Sequence, residues 1–216
     1  MSEHMALENL TVLDLTRVLA GPFCTMMLAD MGANVIKIEV PKGGDDTRGY
    51  PPFRAKNLNG ERESVYFANI NRNKKGITLN LKAPEGKEIF KELVKKADIV
   101  VENYLPGVMD KLGLGYDVLK EINPRIIYAA VPGFGCYGPY HLRPGYDILA
   151  QAMGGMMSIT GSKGGEPTRA GSALGDILGG LHVTIGILAE VNARTITGKG
   201  QRVDVSLMDS MIAATE

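Results

Sequence analysis

Short apolar runs alternate with helix-like patterns along most of this 216-residue chain. Runs rich in β-branched residues predict strands over residues 10–16 (LTVLDLT), 33–39, 77–81, 98–102, 125–131 and 201–207. Apolar residues at helical spacing predict helices over residues 23–31, 84–97, 116–122 and 145–157, a long helix beginning at 176, and another beginning at 208. Strands that alternate with helices are typical of parallel sheets. We therefore expect an α/β fold with an open, doubly wound, Rossmann-like parallel sheet.

The helix over residues 84–97 has the strongest signals. A proline stands near its first position, glutamates lie in its first turn and lysines in its last, as the helix dipole favours. Its apolar residues predict a buried stripe of Ile89 and Leu93, with Phe90 and Val94 on the flank.

Two clusters of one residue type have ordinary structural explanations. Met153, Met156 and Met157 follow the predicted helix pattern, and we expect them to fill the core. The basic sequence NRNKK at residues 71–75 predicts a solvated face, although its place before a strand leaves phosphate binding open.

A single carboxylate stands where a small-residue loop meets the long apolar helix, in the sequence AGSALGD that ends at Asp176. Helix dipoles favour an anion at this end, so we expect Asp176 to be ionised and available. Gly179 and Gly180 would let a ligand or another backbone approach it closely. Aspartate is also a preferred N-cap residue. Both a capping and a catalytic role therefore remain open from local chemistry.

The charge balance and the apolar pattern exclude several classes of partner. Lysine plus arginine number 24 and aspartate plus glutamate number 24, so no net field would draw the chain to nucleic acid or an anionic membrane. We see no secretory signal and no uninterrupted apolar run long enough for a membrane span. We expect a protein with neither nucleic acid nor membrane as a partner.

Cysteine and histidine usage bears on compartment and metals. Two cysteines do not make a disulfide framework, which predicts a reduced, cytoplasmic setting. Three histidines lack ligand spacing, so we expect no metal site, and we interpret His182 as a helix-packing residue.

The loops after the predicted strands give the position of a ligand. Residues 17–21, 103–107 and 132–144 all follow strands, and ligands of open α/β sheets lie beyond the carboxyl ends of strands. The first turn reads TRVLAGP and has no G-x-G-x-x-G sequence, which argues against a dinucleotide site of the Rossmann type.

Several segments, in this order, resemble the N-terminal portion of family III CoA-transferases. They are VLDLTRVLAGPFCTMMLADMGANVIKIE, GDDTRG, NRNKKGITLNLKAPEGK, ADIVVENYLPGVMDKLGLGYDVLKEINPRIIY, GFGCYGPY, GYDILAQAMGG, ALGD and TGKGQRVDVSLMDS. The resemblance implies that residues 7–216 form the large, Rossmann-like domain of this family, incomplete and without its small C-terminal domain. It also implies a homodimer of interlocked chains.

The resemblance implies an activity and a set of residues. CoA would move from an acyl-CoA donor to a carboxylic acid, and Asp176 would form an aspartyl anhydride and then an aspartyl-CoA thioester. No tightly bound cofactor is expected, since coenzyme A and acyl-CoA are substrates. The positions that match CoA contacts of the family are Val18, Leu19, Leu79, Lys82, Asn103, Tyr104 and Lys111.

Two alternatives stay open beside the transferase. The same family includes an α-methylacyl-CoA racemase that uses a His–Asp pair, but Tyr146 stands at the position of that histidine. A tyrosine is a poor base at neutral pH, which favours the transferase. The other alternative is a truncated, non-catalytic fragment that binds CoA.

Overall fold

A computed structural model describes residues 4–54, 60 and 62–215. The strands are β1 Thr11–Asp14, β2 Asn34–Glu39, β3 Lys75–Thr78, β4 Ile99–Glu102, β5 Ile127–Ala130 and β6 Arg202–Asp204. The α-helices are α1 Ala20–Asp30, α2 Val65–Ile70, α3 Pro84–Val94, α4 Val108–Leu112, α5 Tyr116–Ile122, α6 Asp147–Met153, α7 Leu174–Thr197 and α8 Leu207–Thr215. Short 3-10 helices cover Asp46–Gly49 and Met156–Ile159.

The strands form one six-stranded sheet in the order β3-β2-β1-β4-β5-β6, and all neighbouring pairs are parallel. The chain builds outward from β1 to β3 and then returns to add β4 on the other side of β1. A crevice opens at such a reversal, beyond the carboxyl ends of β1 and β4. The predicted open, doubly wound α/β fold is confirmed.

Alternate residues of the central strands supply two separate cores. Val12, Ile99 and Ile127 point to the face covered by α1 and α7. Their neighbours along the strands point to the other face, which α3, α4 and α5 cover. Strands buried on both faces explain the nearly continuous apolar runs in the sequence.

Helix α7 lies close to its neighbours because glycines form its inner surface. A Cβ on Gly180 would lie 2.8 Å from the carbonyl oxygen of Ala20 in α1, and one on Gly179 would lie 2.5 Å from the side chain of Leu207. By length and composition alone α7 could cross a membrane, as core helices also can. Here Val183 and Ile187 are fully buried in the core that α7 shares with α1.

Two predicted elements need correction. Strand β3 covers Lys75–Thr78 instead of residues 77–81, because a turn begins at Asn80. The side-chain Oδ1 of Asn80 accepts the N–H of Lys82, and its backbone carbonyl accepts the N–H of Ala83. In α3, Phe90 and Val94 are fully buried. Ile89, predicted at the centre of the stripe, is half exposed and faces away from the sheet.

Two predictions about clusters are also wrong in part. Met153 is 44% exposed, so it does not fill the core, whereas Met156 does pack against it. In the basic cluster at residues 71–75, the side chain of Lys74 is buried and paired with Asp14. The cluster is therefore not simply a solvated face.

Candidate active site

A cavity of about 440 Å³ lies at the carboxyl edge of the sheet, where the chain order reverses. The loops after β1, β4 and β5 and the first turn of α7 all contribute to its wall. That wall includes Val18, Leu19, Asn103, Tyr104, Tyr146 and Asp176. The sequence-based placement of the ligand region at these loops agrees with this geometry.

The turn between β1 and α1 is held in an unusual backbone conformation. Val18 has φ 67°, a left-handed value that β-branched residues rarely adopt. The side-chain amide of Asn103 fixes the residue before it, since Oδ1 accepts the N–H of Arg17 at 2.9 Å and Nδ2 donates to its carbonyl at 2.8 Å. Asp45 Oδ1 accepts the N–H of Val18 at 3.4 Å. The polar atoms of Asn103 are thus engaged with the protein itself.

A second cavity, of about 600 Å³, adjoins the first through shared lining residues that include Arg17 and Tyr104. Leu79 and Lys82, which follow β3, line this second cavity. Lys111 is exposed on α4 and lines neither of these two cavities. Six of the seven positions expected to contact CoA therefore surround one continuous depression, and the seventh lies outside it.

Two glycines close the base of the loop that borders the first cavity. A Cβ on Gly133 would lie 2.3 Å from the Cα of Gly145, and a Cβ on Gly145 would lie 2.5 Å from the Cα of Gly133. The two backbone segments cross in direct contact, which only residues without side chains permit. The residues between them leave the sheet and return to the same point.

Asp176 does not cap α7. The helix begins at Leu174, and its N-cap residue, Ala173, makes no side-chain capping hydrogen bond. Asp176 is therefore the third residue of the helix, one turn further along than an N-cap. The capping explanation that the sequence left open is wrong, and the carboxylate faces the cavity.

Burial is the main reason why the pKa of Asp176 rises from 3.8 to about 7. The negative charge of Asp147 raises the pKa of Asp176 further, and the guanidinium of Arg169 opposes both effects. The sequence-based expectation of a readily ionised carboxylate is wrong in degree. The favourable helix dipole is outweighed by burial and by a second carboxylate.

Asp147, the first residue of α6, gathers the segment that leads to Asp176. Its Oδ1 accepts the N–H of Gly175 at 2.8 Å and its Oδ2 accepts Nε2 of Gln151 at 2.8 Å. Arg169 approaches Oδ2 through Nη2 at 3.2 Å. Asp147 and Gln151 stand four residues apart on one face of α6. This spacing in the sequence is the signal that could have indicated their contact.

Tyr66, which the sequence did not single out, interacts electrostatically with Asp176. Burial raises the pKa of Tyr66 to about 12, and the charge of Asp176 adds to that rise. Tyr66 stands on α2 and meets Tyr50 edge to face, with ring centroids 5.8 Å apart. Asp46 and Tyr66, both in the connection between β2 and β3, thus contribute to the surroundings of the cavity.

A different buried carboxylate ends β1. Asp14 accepts Nζ of Lys74 at 3.0 Å and the hydroxyls of Thr16 at 2.5 Å and Thr25 at 2.6 Å. Burial alone would raise the pKa of Asp14, but Lys74, Lys37 and the two hydroxyls outweigh it and lower the pKa to about 2. This carboxylate is ionised and fully compensated.

Comparison with known proteins identifies the family. Residues 7–216 match CoA-transferase family III. The chain belongs to that family.

Relatives of this CoA-transferase family III chain carry transferase names. An acyl-CoA transferase of Fusarium pseudograminearum is 50% identical over 215 residues, which cover 98% of this chain and 47% of that protein. A succinyl-CoA:mesaconate CoA-transferase of Haloarcula marismortui is 48% identical over 217 residues, with coverage of 98% and 54%. The chain spans about half the length of the curated relatives it matches.

A solved structure of the family has the same fold. A CAIB/BAIF family protein from Brucella suis superposes with a TM-score of 0.93 at 45% identity, over 98% of this chain and 55% of that one.

The residues described in the present structure contain no group of three or more His, Cys, Asp or Glu arranged to hold a metal ion.

Proposed function

We propose that this chain carries the nucleophile and the CoA site of an acyl-CoA:carboxylate CoA-transferase. The observation that carries the proposal is the position of Asp176, a carboxylate of raised pKa on the wall of the cavity. Family membership supports the same reaction, and the names of the relatives describe transferases of this type. The donor and acceptor acids remain defined only by class, as an acyl-CoA and a free carboxylate.

The two adjoining cavities suit a long, mixed-polarity ligand. Leu79 and Tyr104 would contact the apolar surfaces of CoA, and Lys82 would meet its phosphates. The loop of Val18 and Leu19, together with Asn103, would shape the passage to Asp176. Lys111 would act only on phosphates that reach beyond these cavities.

The chemistry begins with attack of an Asp176 oxygen on the thioester carbonyl, which breaks the C–S bond, releases CoA thiolate and forms a mixed anhydride. The thiolate then attacks the carbonyl of Asp176 and displaces the donor carboxylate, leaving an aspartyl-CoA thioester. The acceptor carboxylate displaces CoA and forms a second anhydride. CoA thiolate attacks the carbonyl carbon that came from the acceptor, which forms the new acyl-CoA and releases the carboxylate of Asp176. A carboxylate of raised pKa is a more basic nucleophile than an ordinary one.

A racemase reaction finds less support. It needs an acid–base pair on either side of the α-carbon. Among the described residues that line the first cavity are Asp176 and the tyrosine Tyr146, and no histidine. Deuterium uptake from solvent at the α-carbon of a 2-methylacyl-CoA would be the signature of that alternative.

We further propose a cytoplasmic homodimer. Apolar side chains on α6, α7 and α8 lie open to solvent in the single chain, which supports burial against another polypeptide. The most exposed on each helix are Ile148 of α6, Ile196 of α7 and Ile212 of α8. Sedimentation of the purified protein would show whether two copies associate.

Trapping the aspartyl intermediates tests the proposed function. The protein is incubated with donor acyl-CoA and quenched with hydroxylamine, and peptides are analysed by mass spectrometry. We expect a hydroxamate on Asp176, formed when hydroxylamine attacks the aspartyl-CoA thioester and releases CoA. In Asp176→Asn, we expect the exchange rate to fall by about a thousandfold or more, since the nucleophile is lost.

The matched control is Glu166→Gln, which removes an exposed carboxylate from the loop before α7. We expect this variant to be labelled at Asp176 like the unaltered protein. Absence of any Asp176 adduct in the unaltered protein under donor acyl-CoA would contradict the proposal.

A further inference from the structure

We propose that Asp147 and Gln151 are positioning residues for Asp176: they fix residues 169–175 against α6 and set the charge that the Asp176 carboxylate meets. As a role in catalysis, this inference rests on the proposed transferase function. Neither residue lines the cavity, so both would act through Asp176 and its supporting segment.

The side chain of Gln151 holds this segment at two points. It is fully buried, its Oε1 accepts the N–H of Ala170 at 2.9 Å, and its Nε2 donates to the carbonyl of Ser172 at 3.2 Å. The same Nε2 donates to Asp147. A glutamine presents a donor and an acceptor together, so one side chain satisfies groups that a purely apolar residue would leave unpaired.

Asp147 fixes the next part of the segment. Its Oδ1 accepts the N–H of Gly175, the residue directly before Asp176, in the first turn of α7. A Cβ on Gly175 would lie 3.1 Å from the Cβ of Ala150 and 3.2 Å from Oδ1 of Asp147. The helix therefore begins against α6 with little freedom to shift, and Asp176 follows at a fixed position.

Charged and titratable groups approach Asp176 from each side. Asp147 acts from α6, Arg169 from the loop before α7 and Tyr66 from α2. Arg17 and Asp46 line the same cavity from the opposite wall. Asp147 and Arg169 form an ion pair. Removing Asp147 would take a negative charge away from the surroundings of Asp176, and removing Arg169 would take a positive charge away.

The experiment measures the protonation of Asp176 without requiring turnover. Water-soluble carbodiimide modifies protonated carboxyl groups, and peptide mass spectrometry follows the modification of Asp176 between pH 5 and pH 9. In Asp147→Asn, we expect the midpoint to fall by about one pH unit, because a nearby like charge is gone. In Arg169→Gln, we expect it to rise by a similar amount, because the opposing cation is gone.

Glu166→Gln is the control for general loss of negative charge near this loop. Its midpoint is expected to stay within about 0.3 pH units of the unaltered protein, since the exposed side chain is screened by solvent. Equal midpoints in Asp147→Asn and the unaltered protein would overturn the electrostatic part of the inference.

Gln151→Met tests the positional part. The methionine keeps the volume and loses both polar contacts, so we expect hydrogen exchange at Ala170 to become about tenfold faster or more. We also expect kcat to fall severalfold more than the affinity for CoA. Unchanged exchange at Ala170 would overturn the positional role.

These readouts separate the inference from the proposed function. Carbodiimide labelling and hydrogen exchange respond even if Asp176 never forms an acyl adduct. Failure of the hydroxylamine trap in the unaltered protein would remove the transferase alone. A normal trap with an unshifted Asp147→Asn midpoint would remove the present inference alone.

Discussion

Two buried carboxylates at the same sheet edge have opposite electrostatic surroundings. Asp14, at the end of β1, meets Lys74 and two hydroxyls, and its pKa is lowered to about 2. Burial and Asp147 raise the pKa of Asp176 to about 7. Asp14 is fully buried and Asp176 is largely buried, so burial alone does not explain why the deeper carboxylate has the lower pKa. The difference lies in the partners that each carboxylate meets.

The comparison separates a buried acid whose charge is compensated from one that is costly to ionise. A carboxylate surrounded by a cation and donors has little tendency to react, because its charge is already compensated. One that lacks a direct cation is costly to ionise and more basic.

The largest expected effect is on Lys74. Lys74→Met leaves the carboxylate of Asp14 buried without its direct cation, so we expect the free energy of unfolding to fall by about 3–5 kcal/mol. Urea denaturation at pH 7 measures it. The control is Lys75→Met, which changes the neighbouring lysine, an exposed residue at the start of β3. A similar loss in both variants would contradict the compensated state of Asp14.

The next prediction concerns Asp176 and is a gain in the free energy of unfolding instead of a loss. The pKa of Asp176 is higher in the folded than in the unfolded protein, so its contribution to stability is present at low pH and is lost as the pH rises through about 7. At pH 8, Asp176→Asn should raise the free energy of unfolding by about 2 kcal/mol. Below about pH 4 the difference should vanish, because both side chains are then neutral. A constant difference from pH 4 to pH 8 would argue against a raised pKa.

The smallest effect concerns a hydroxyl. Thr25→Val keeps the shape of a fully buried side chain and removes its 2.6 Å hydrogen bond to Asp14. We expect a loss of about 1 kcal/mol in the free energy of unfolding and a higher pKa of Asp14. Thr184→Val is the matched variant, since its hydroxyl donates to a neutral carbonyl. Thermal unfolding at pH 4 and pH 7 measures both, and an equal effect of the two changes would contradict a special role of the Asp14 charge.

The sequence predicted the fold well because its signals are local and repeated. Strands buried on both faces carry continuous apolar runs, and α5 was predicted with the bounds Tyr116–Ile122 that the structure shows. Edge strand β3 was displaced because all four of its residues are exposed, and an exposed edge leaves a weak apolar pattern. Ile89 was misplaced because the four apolar residues of α3 allow two neighbouring faces.

The sequence singled out Asp176 but not the long-range contacts that hold the loops around the cavity. Asp176 stood out because a loop and a long helix meet there. The pairing of Lys74 with Asp14, 60 positions away, depends on how the strands assemble. The hydrogen bond from the N–H of Arg17 to Asn103, 86 positions away, also depends on that assembly. Long-range contacts of this kind have no signature in a single sequence.

The crossing of Gly133 and Gly145 has a consequence for how this protein can change over generations. The two glycines bring the ends of the loop together, and Cys136 within the loop donates its N–H to Asp204 of β6 at 3.0 Å, so the base of the loop is tied to the sheet. Tyr137 and Leu142 near its tip are 79% and 67% exposed. Substitutions at these exposed positions would disturb few contacts, whereas a side chain at either glycine would collide with the backbone of the other.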